Sequence, residues 1–198
     1  MSERSTGLRS LHDLGLAAWF GGSLMGAVGL NGAARDEGGT WQGTARIASA
    51  GWAKWTPVNA AAIAVHLVGA TGLLAANAGR VATQQGVAAS TVAKTVLTGA
   101  ALAATAYSRV LGKKIELASS EAPEDVEKAA DHPVDTDEAQ RRLTCMQWVI
   151  PALTGGLLVL NALHGEQQRP AEQAHGMWQR ARSMVPPVSL AHCGHPAD

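Results

Sequence analysis

Hydrophobic and polar positions alternate in blocks along this chain rather than within them. Four apolar stretches, residues 14–34, 57–79, 87–107 and 143–164, are separated by segments that hold nearly all the charge. Leu14 to Ala34 contains no charged residue, and 21 residues at 1.5 Å each reach about 31 Å, enough to cross the hydrocarbon of a bilayer. In lipid a backbone must bond to itself, so each stretch is predicted to be a helix. The pattern predicts an all-α fold, a four-transmembrane-helix bundle with a short interfacial amphipathic helix. It places a membrane domain at residues 1–170 and a flexible polar tail at 171–198.

Within the first span the small residues recur at helical spacing. Ala18, Gly22 and Gly26 lie four apart, and Gly29 and Ala33 continue on a neighbouring face. Missing side chains let a second helix approach closely, so Gly22, Gly26 and Gly29 are the predicted packing surface. Ser10 is positioned to cap this helix, with Asp13 in its first turn. Ala45, Ala48, Trp52 and Trp55 share a face of the segment 41–55, which predicts a short helix lying in the interface with its tryptophans in lipid. Thr56-Pro57 is a cap and first-turn pair for the second span. The third span carries Lys94, Thr95, Thr98 and Thr105, a composition suited to packing against protein. Residues 109–142 are charged and predicted to be mobile apart from a helical turn or two after Pro123. Pro151 is predicted to kink the fourth span.

Composition narrows the classes. Hydrophobic residues make up 46% and the mean hydropathy is only +0.02, an average over segregated polar and apolar blocks. The formal net charge of zero offers no basic footprint for nucleic acid. Phe and Tyr occur once each and Trp six times, a balance that suits a bilayer interface better than a large soluble core. The two cysteines, Cys145 and Cys193, give no disulfide framework. The first 13 residues are too polar for a signal peptide's apolar region, so the first span is expected to be retained.

Four spans put both ends of the chain on one side, called side A. Side B holds the segments around 35–56 and 109–142. Side A carries Arg4, Arg9, Arg80, Arg169, Arg180 and Arg182; side B carries Arg35, Arg46, Lys54, Arg109, Lys113, Lys114, Lys128, Arg141 and Arg142. The positive-inside rule therefore makes side B cytoplasmic and leaves both termini outside. The expected location is the cell (plasma) membrane, with the bilayer as one partner and a homo-oligomer or larger membrane complex as another.

Polar residues within the spans are the candidate sites. Asn31 and Asn59 fall at one level near side B. On side A, His12, Asp13, Asn77, Asn161, His164 and Glu166 come level, and Lys94 can snorkel to them. A polar network of Lys94, Asn77 and Asn161 with Asp13 or Glu166 is the main reading, since an intramembrane charge is costly unless paired or turned to water. His12, Asp13, His164 and Glu166 also have the chemistry of a divalent metal site. His66 stands alone near mid-membrane. It cannot pair with His164 as axial haem ligands, because about 18 Å of helix rise separates their levels. A hydrogen-bonded packing histidine is favoured over a single-histidine cofactor ligand. No phosphate loop, nucleophile elbow or H-E-x-x-H is present.

Four stretches together, His12 to Gly22 (HDLGLAAWFGG), Gly51 to Asn59 (GWAKWTPVN), Ala106 to Lys114 (AYSRVLGKK) and Asn161 to Gln168 (NALHGEQQ), resemble a group of small, uncharacterised integral membrane proteins of actinobacteria. The resemblance covers roughly residues 8 to 170 and implies a membrane fold; it brings no catalytic residue. The expectation is a non-enzymatic structural or accessory protein without a cofactor, acting through helix–helix packing. A small transporter or ion-binding protein, or a haem- or quinone-associated redox accessory subunit, are the alternatives.

Overall fold

In the computed structural model the described residues are 5–83, 85–131 and 135–167, without the side chains of Arg80, Gln85, His164, Glu166 and Gln167. They form α1 (Thr6–Met25), a π turn (Gly26–Leu30), α2 (Asn31–Gly38), α3 (Trp41–Ala76), α4 (Ala78–Thr83), α5 (Gln85–Ser119), α6 (Pro123–Asp131) and α7 (Thr136–Gln167). No strand occurs among the described residues. Four stretches, Thr6–Gly38, Trp41–Ala76, Gly86–Ser119 and Thr136–Leu163, are long and apolar enough to cross a membrane. The chain divides into two compact units, Met1–Leu160 and Asn161–Asp198. The predicted tail, 171–198, lies outside the described residues.

The long helices overrun their predicted spans. The 36 residues of α3 rise about 54 Å, against roughly 30 Å of hydrocarbon. The extra turns, on side B for α3, α5 and α7 and on side A for α1, account for three differences from the sequence reading. First, the segment 41–55 is helical but continues into the second span without a break. Gly39, at φ +62°, turns the chain, a conformation that favours glycine. The Thr40 hydroxyl then accepts from the Gly43 N–H at 3.0 Å and caps α3. Thr56 and Pro57 therefore sit inside the helix; the Thr56 hydroxyl donates to the Trp52 carbonyl at 2.7 Å. Second, α5 and α7 extend through most of 109–142, and α6 fills much of the rest. Third, α1 begins at Thr6, ahead of Ser10.

Helices α1 and α3 run antiparallel in close contact, and glycines make that contact possible. A Cβ at Gly15 would stand 2.5 Å from the Ala62 carbonyl oxygen and the His66 backbone nitrogen. A Cβ at Gly69 would collide with the His12 backbone. Further along, Gly22 seats Trp55, Gly26 seats Trp52, and Gly51 of α3 seats Leu30. The two tryptophans thus face α1, not lipid. Each lies against a bare glycine because a helix offers no other slot for an indole at that separation.

The π turn sets the register of this seam. It adds a residue to one turn, so the buried face moves from Gly26 to Leu30 and Ala34. Gly29 and Ala33 are consequently exposed, and only Met25 of its own helix lies near Gly29. The sequence pattern placed Gly29 on the packing surface because it assumed an unbroken 3.6-residue period.

Side A's half of the first unit is filled by Leu16, Trp19, Ala101, Ala104, Ile150 and Leu157. A second cluster, Ala45, Leu111, Ile115 and Ala139 with Trp41 and Leu143, packs towards the side B end. Helix α5 is the least buried of the four spans, contrary to its composition. Its hydroxyls bond within the helix: Thr91 donates to Val87, Thr95 to Thr91 and Thr105 to Ala101. Satisfied this way, they require no protein neighbour.

Candidate binding cavity

Between the filled core and the side B cluster the long helices line a partly open cavity of about 360 Å³. Its lining comes from α1, α2, α3, α5 and α7, so no single stretch of sequence announces it. The floor is formed by Ile63, Thr105 and Ile150. Beneath it, the Trp19 indole donates to the Thr105 hydroxyl at 3.3 Å. Trp52, Trp55 and Ala60 give one wall, and Gly112, Ile115 and Leu143 contribute to the others.

One set of polar groups on the wall is internally matched. Trp52 Nε1 donates to Asn31 Oδ1 at 3.0 Å, and Asn31 Nδ2 donates to Gln147 Oε1 at 2.8 Å. This chain of bonds links α3, α2 and α7. The π turn brings Asn31 onto the lining, since without the extra residue its side chain would point elsewhere on the helix.

A second set is not matched. Trp55 Nε1, Asn59 Oδ1, Ser108 Oγ and Gln140 Oε1 are buried and have no hydrogen-bond partner among the described residues. All four residues line the cavity. Leaving such a group unsatisfied costs about 1–3 kcal/mol, so four around one space call for a bound partner or ordered water. The sequence reading put Asn31 and Asn59 at one level near side B, and both line the cavity. It missed Ser108, Gln140 and Gln147. Ser108 had one signal, in that it interrupts a face of small residues, Ala101, Ala104 and Gly112; Gln140 and Gln147 had none, lying among other polar residues.

Charge enters the lining at Arg35, Arg109 and Glu116. Glu116 is held by Lys113, whose Nζ donates at 2.9 Å. Arg35 and Arg109 form no ion pair among the described residues. Neighbouring side B cations are matched: Arg46 with Glu121, Lys128 with Asp125 and Arg142 with Glu138.

The residues predicted on side A are distributed differently. His12 Nδ1 lies 2.9 Å from Asp13 Oδ1. The His12 ring packs on His66 at 4.3 Å between centroids, and Trp19 meets His66 edge-on at 6.2 Å. His66 is 1% exposed, and its Nδ1 donates to the His12 carbonyl at 3.0 Å. It ties α3 to α1 beside the Gly15 and Gly69 contacts and does not line the cavity. Among the described residues no three His, Cys, Asp or Glu converge as metal ligands. The side chains of His164 and Glu166 lie outside the described residues. Lys94 is half-buried and makes no ion pair among the described residues. Asn77 Nδ2 donates within its own helix, to the Leu73 carbonyl at 2.8 Å, which also accepts the Asn77 N–H at 3.1 Å. Asn161 belongs to the second unit.

Family models, curated proteins and solved structures contain no match to this chain.

Proposed function

We propose that this is a multi-pass protein of the plasma membrane that binds a small molecule in the cavity between its long helices. The observation that carries the reading is the convergence of Trp55, Asn59, Ser108 and Gln140, each with an unpartnered buried polar atom, on one cavity. A volume of about 360 Å³ is within the usual range for small-molecule sites. Mixed walls, mostly apolar with a few hydrogen-bonding groups, are the usual composition of such sites. Lipid contact is supported by exposed apolar side chains such as Leu14, Val68, Val92, Val96 and Val159. Membership of the actinobacterial group belongs to the same proposal. Two of the stretches that carry that resemblance, Gly51 to Asn59 and Ala106 to Lys114, supply Trp52, Trp55, Asn59, Ser108 and Arg109 to the lining.

Gly112 gives the test. It lines the cavity, and nothing lies within 4 Å of the Cβ it lacks, so a large side chain there grows into open space. The full chain, extracted from membranes in mild detergent, should carry a non-covalent adduct in native mass spectrometry. Gly112→Trp should lose it while melting at the wild-type temperature. Absence of any adduct on the wild type, or an unchanged adduct on the variant, overturns the reading.

A further inference from the structure

We infer that the cavity's ligand is an amphiphile with an anionic headgroup, taken from the side B leaflet. This rests on the binding reading above and adds the chemical class. The lining is ordered from side B inward. Arg35 stands at the side B end of its helix, and Arg109 follows directly on Ser108. The one carboxylate on the lining, Glu116, is already engaged by Lys113. The lining therefore presents two uncompensated guanidinium groups and no free acid. That arrangement attracts an anion and repels a cation.

Hydrogen-bonding atoms share the zone of these charges, from Gln140 near side B to Ser108 beside Arg109. Trp55 Nε1 is a donor, and the Ser108 hydroxyl donates or accepts. Asn59 and Gln140 each offer an amide. Donors at this depth suit ester carbonyls, and amides suit the hydroxyls of a glycerol-type head. Beneath this zone the lining turns apolar, at Ala60, Ile63 and Ile150. A charged and hydrogen-bonding zone followed by an apolar one matches the head and chains of an anionic glycerolipid. A basic pocket between membrane helices is a recognised way to hold such a head. A soluble phosphate ester shares the charged and hydroxyl parts but leaves the apolar floor uncovered.

The test titrates the detergent-solubilised full chain with dioleoyl phosphatidylglycerol, dioleoyl phosphatidylcholine and glycerol 3-phosphate, read by native mass spectrometry. Phosphatidylglycerol should fill one saturable site per chain. Removing both arginines (Arg35→Gln with Arg109→Gln) should weaken it at least about tenfold, as expected when charge-assisted bonds are lost. A matched control, Lys54→Gln with Lys114→Gln, removes equal charge from exposed positions that do not line the cavity and should leave affinity unchanged. Phosphatidylcholine should bind more weakly than phosphatidylglycerol by a similar factor. Equal weakening by both double variants would show general surface attraction and overturn the inference. So would equal binding of the two lipids. Displacement of phosphatidylglycerol by glycerol 3-phosphate would overturn the lipid source and leave a soluble phosphate ester in its place. Gly112→Trp separates the two levels. If the wild type binds both lipids equally and Gly112→Trp abolishes binding of both, the anionic class fails and the cavity reading stands. If it changes no binding at all, the cavity reading fails as well.

Discussion

At Gly15 two polypeptide backbones touch, which makes a single methyl group consequential. Its Cβ would sit 2.5 Å from a carbonyl oxygen and an amide nitrogen of α3, neither of which is the end of a flexible side chain. The helices must separate to admit it, and that separation also strains the His66 bond to the His12 carbonyl. Overpacking of this kind costs about 1–3 kcal/mol. Gly29→Ala adds the same methyl where the nearest heavy atom, Met25 Sδ, is 3.8 Å away, and it gains up to about 1 kcal/mol of helix propensity. Gly15→Ala should therefore lower the melting temperature in detergent, while Gly29→Ala should leave it unchanged or raise it. Equal melting of the two variants would contradict the direct backbone contact. Composition made glycines conspicuous in the first span but could not rank them. The decisive one at the crossing, Gly15, lies outside the Gly22–Gly26 motif, and Gly22 and Gly26 accommodate indoles.

Among the elements, the π turn separates what was legible in the chain from what was not. Length and hydropathy suffice to place four helices, because in lipid the backbone has few alternatives. Phase along a helix is not so constrained. One extra residue between Gly26 and Leu30 turns Leu30, Asn31 and Ala34 toward α3 and the cavity, and turns Gly29 and Ala33 away. No residue in that stretch signals the insertion. The same limit hid the cavity, whose unpartnered atoms come from α3, α5 and α7 and meet only when those helices are placed. Trp52 and Trp55 were misplaced for a related reason: an indole that suits an interface also suits a glycine notch, and the notch lies on another helix. Deleting Gly29 should convert the π turn to α-helix and keep Leu30 and Ala34 on the seam, with little loss of melting temperature. Deleting Ala18, inside regular helix, should rotate the rest of α1 by about 100° and destabilise the protein strongly. If both deletions are equally damaging, the π turn is not what sets the register.

At the scale of the whole molecule, orientation decides which solution and which leaflet the cavity serves. Side B holds nine Lys and Arg by the loop assignment and side A six, apart from Lys94. Four of the side B nine are neutralised by nearby acids: Arg46, Lys113, Lys128 and Arg142. That pairing does not weaken the inference, because orientation follows Lys and Arg near span ends and gives acids little weight. Lys113 and Lys114 stand close to the end of the third apolar stretch, and Arg141 and Arg142 directly precede the fourth. Side B should therefore be cytoplasmic. In a background with Cys145→Ser and Cys193→Ser, a cysteine introduced by Glu124→Cys on exposed α6 should react with an impermeant thiol reagent only after lysis. One introduced by Thr83→Cys, on the exposed side A connection, should react in intact cells. The reverse pattern would turn the protein over. Arg35 and Arg109 would then face the outer leaflet, and the positive surface expected to gather anionic heads would meet a different lipid supply. The charge of the lining would be unaltered, so affinity measured in detergent would survive that result even as the leaflet assignment fell.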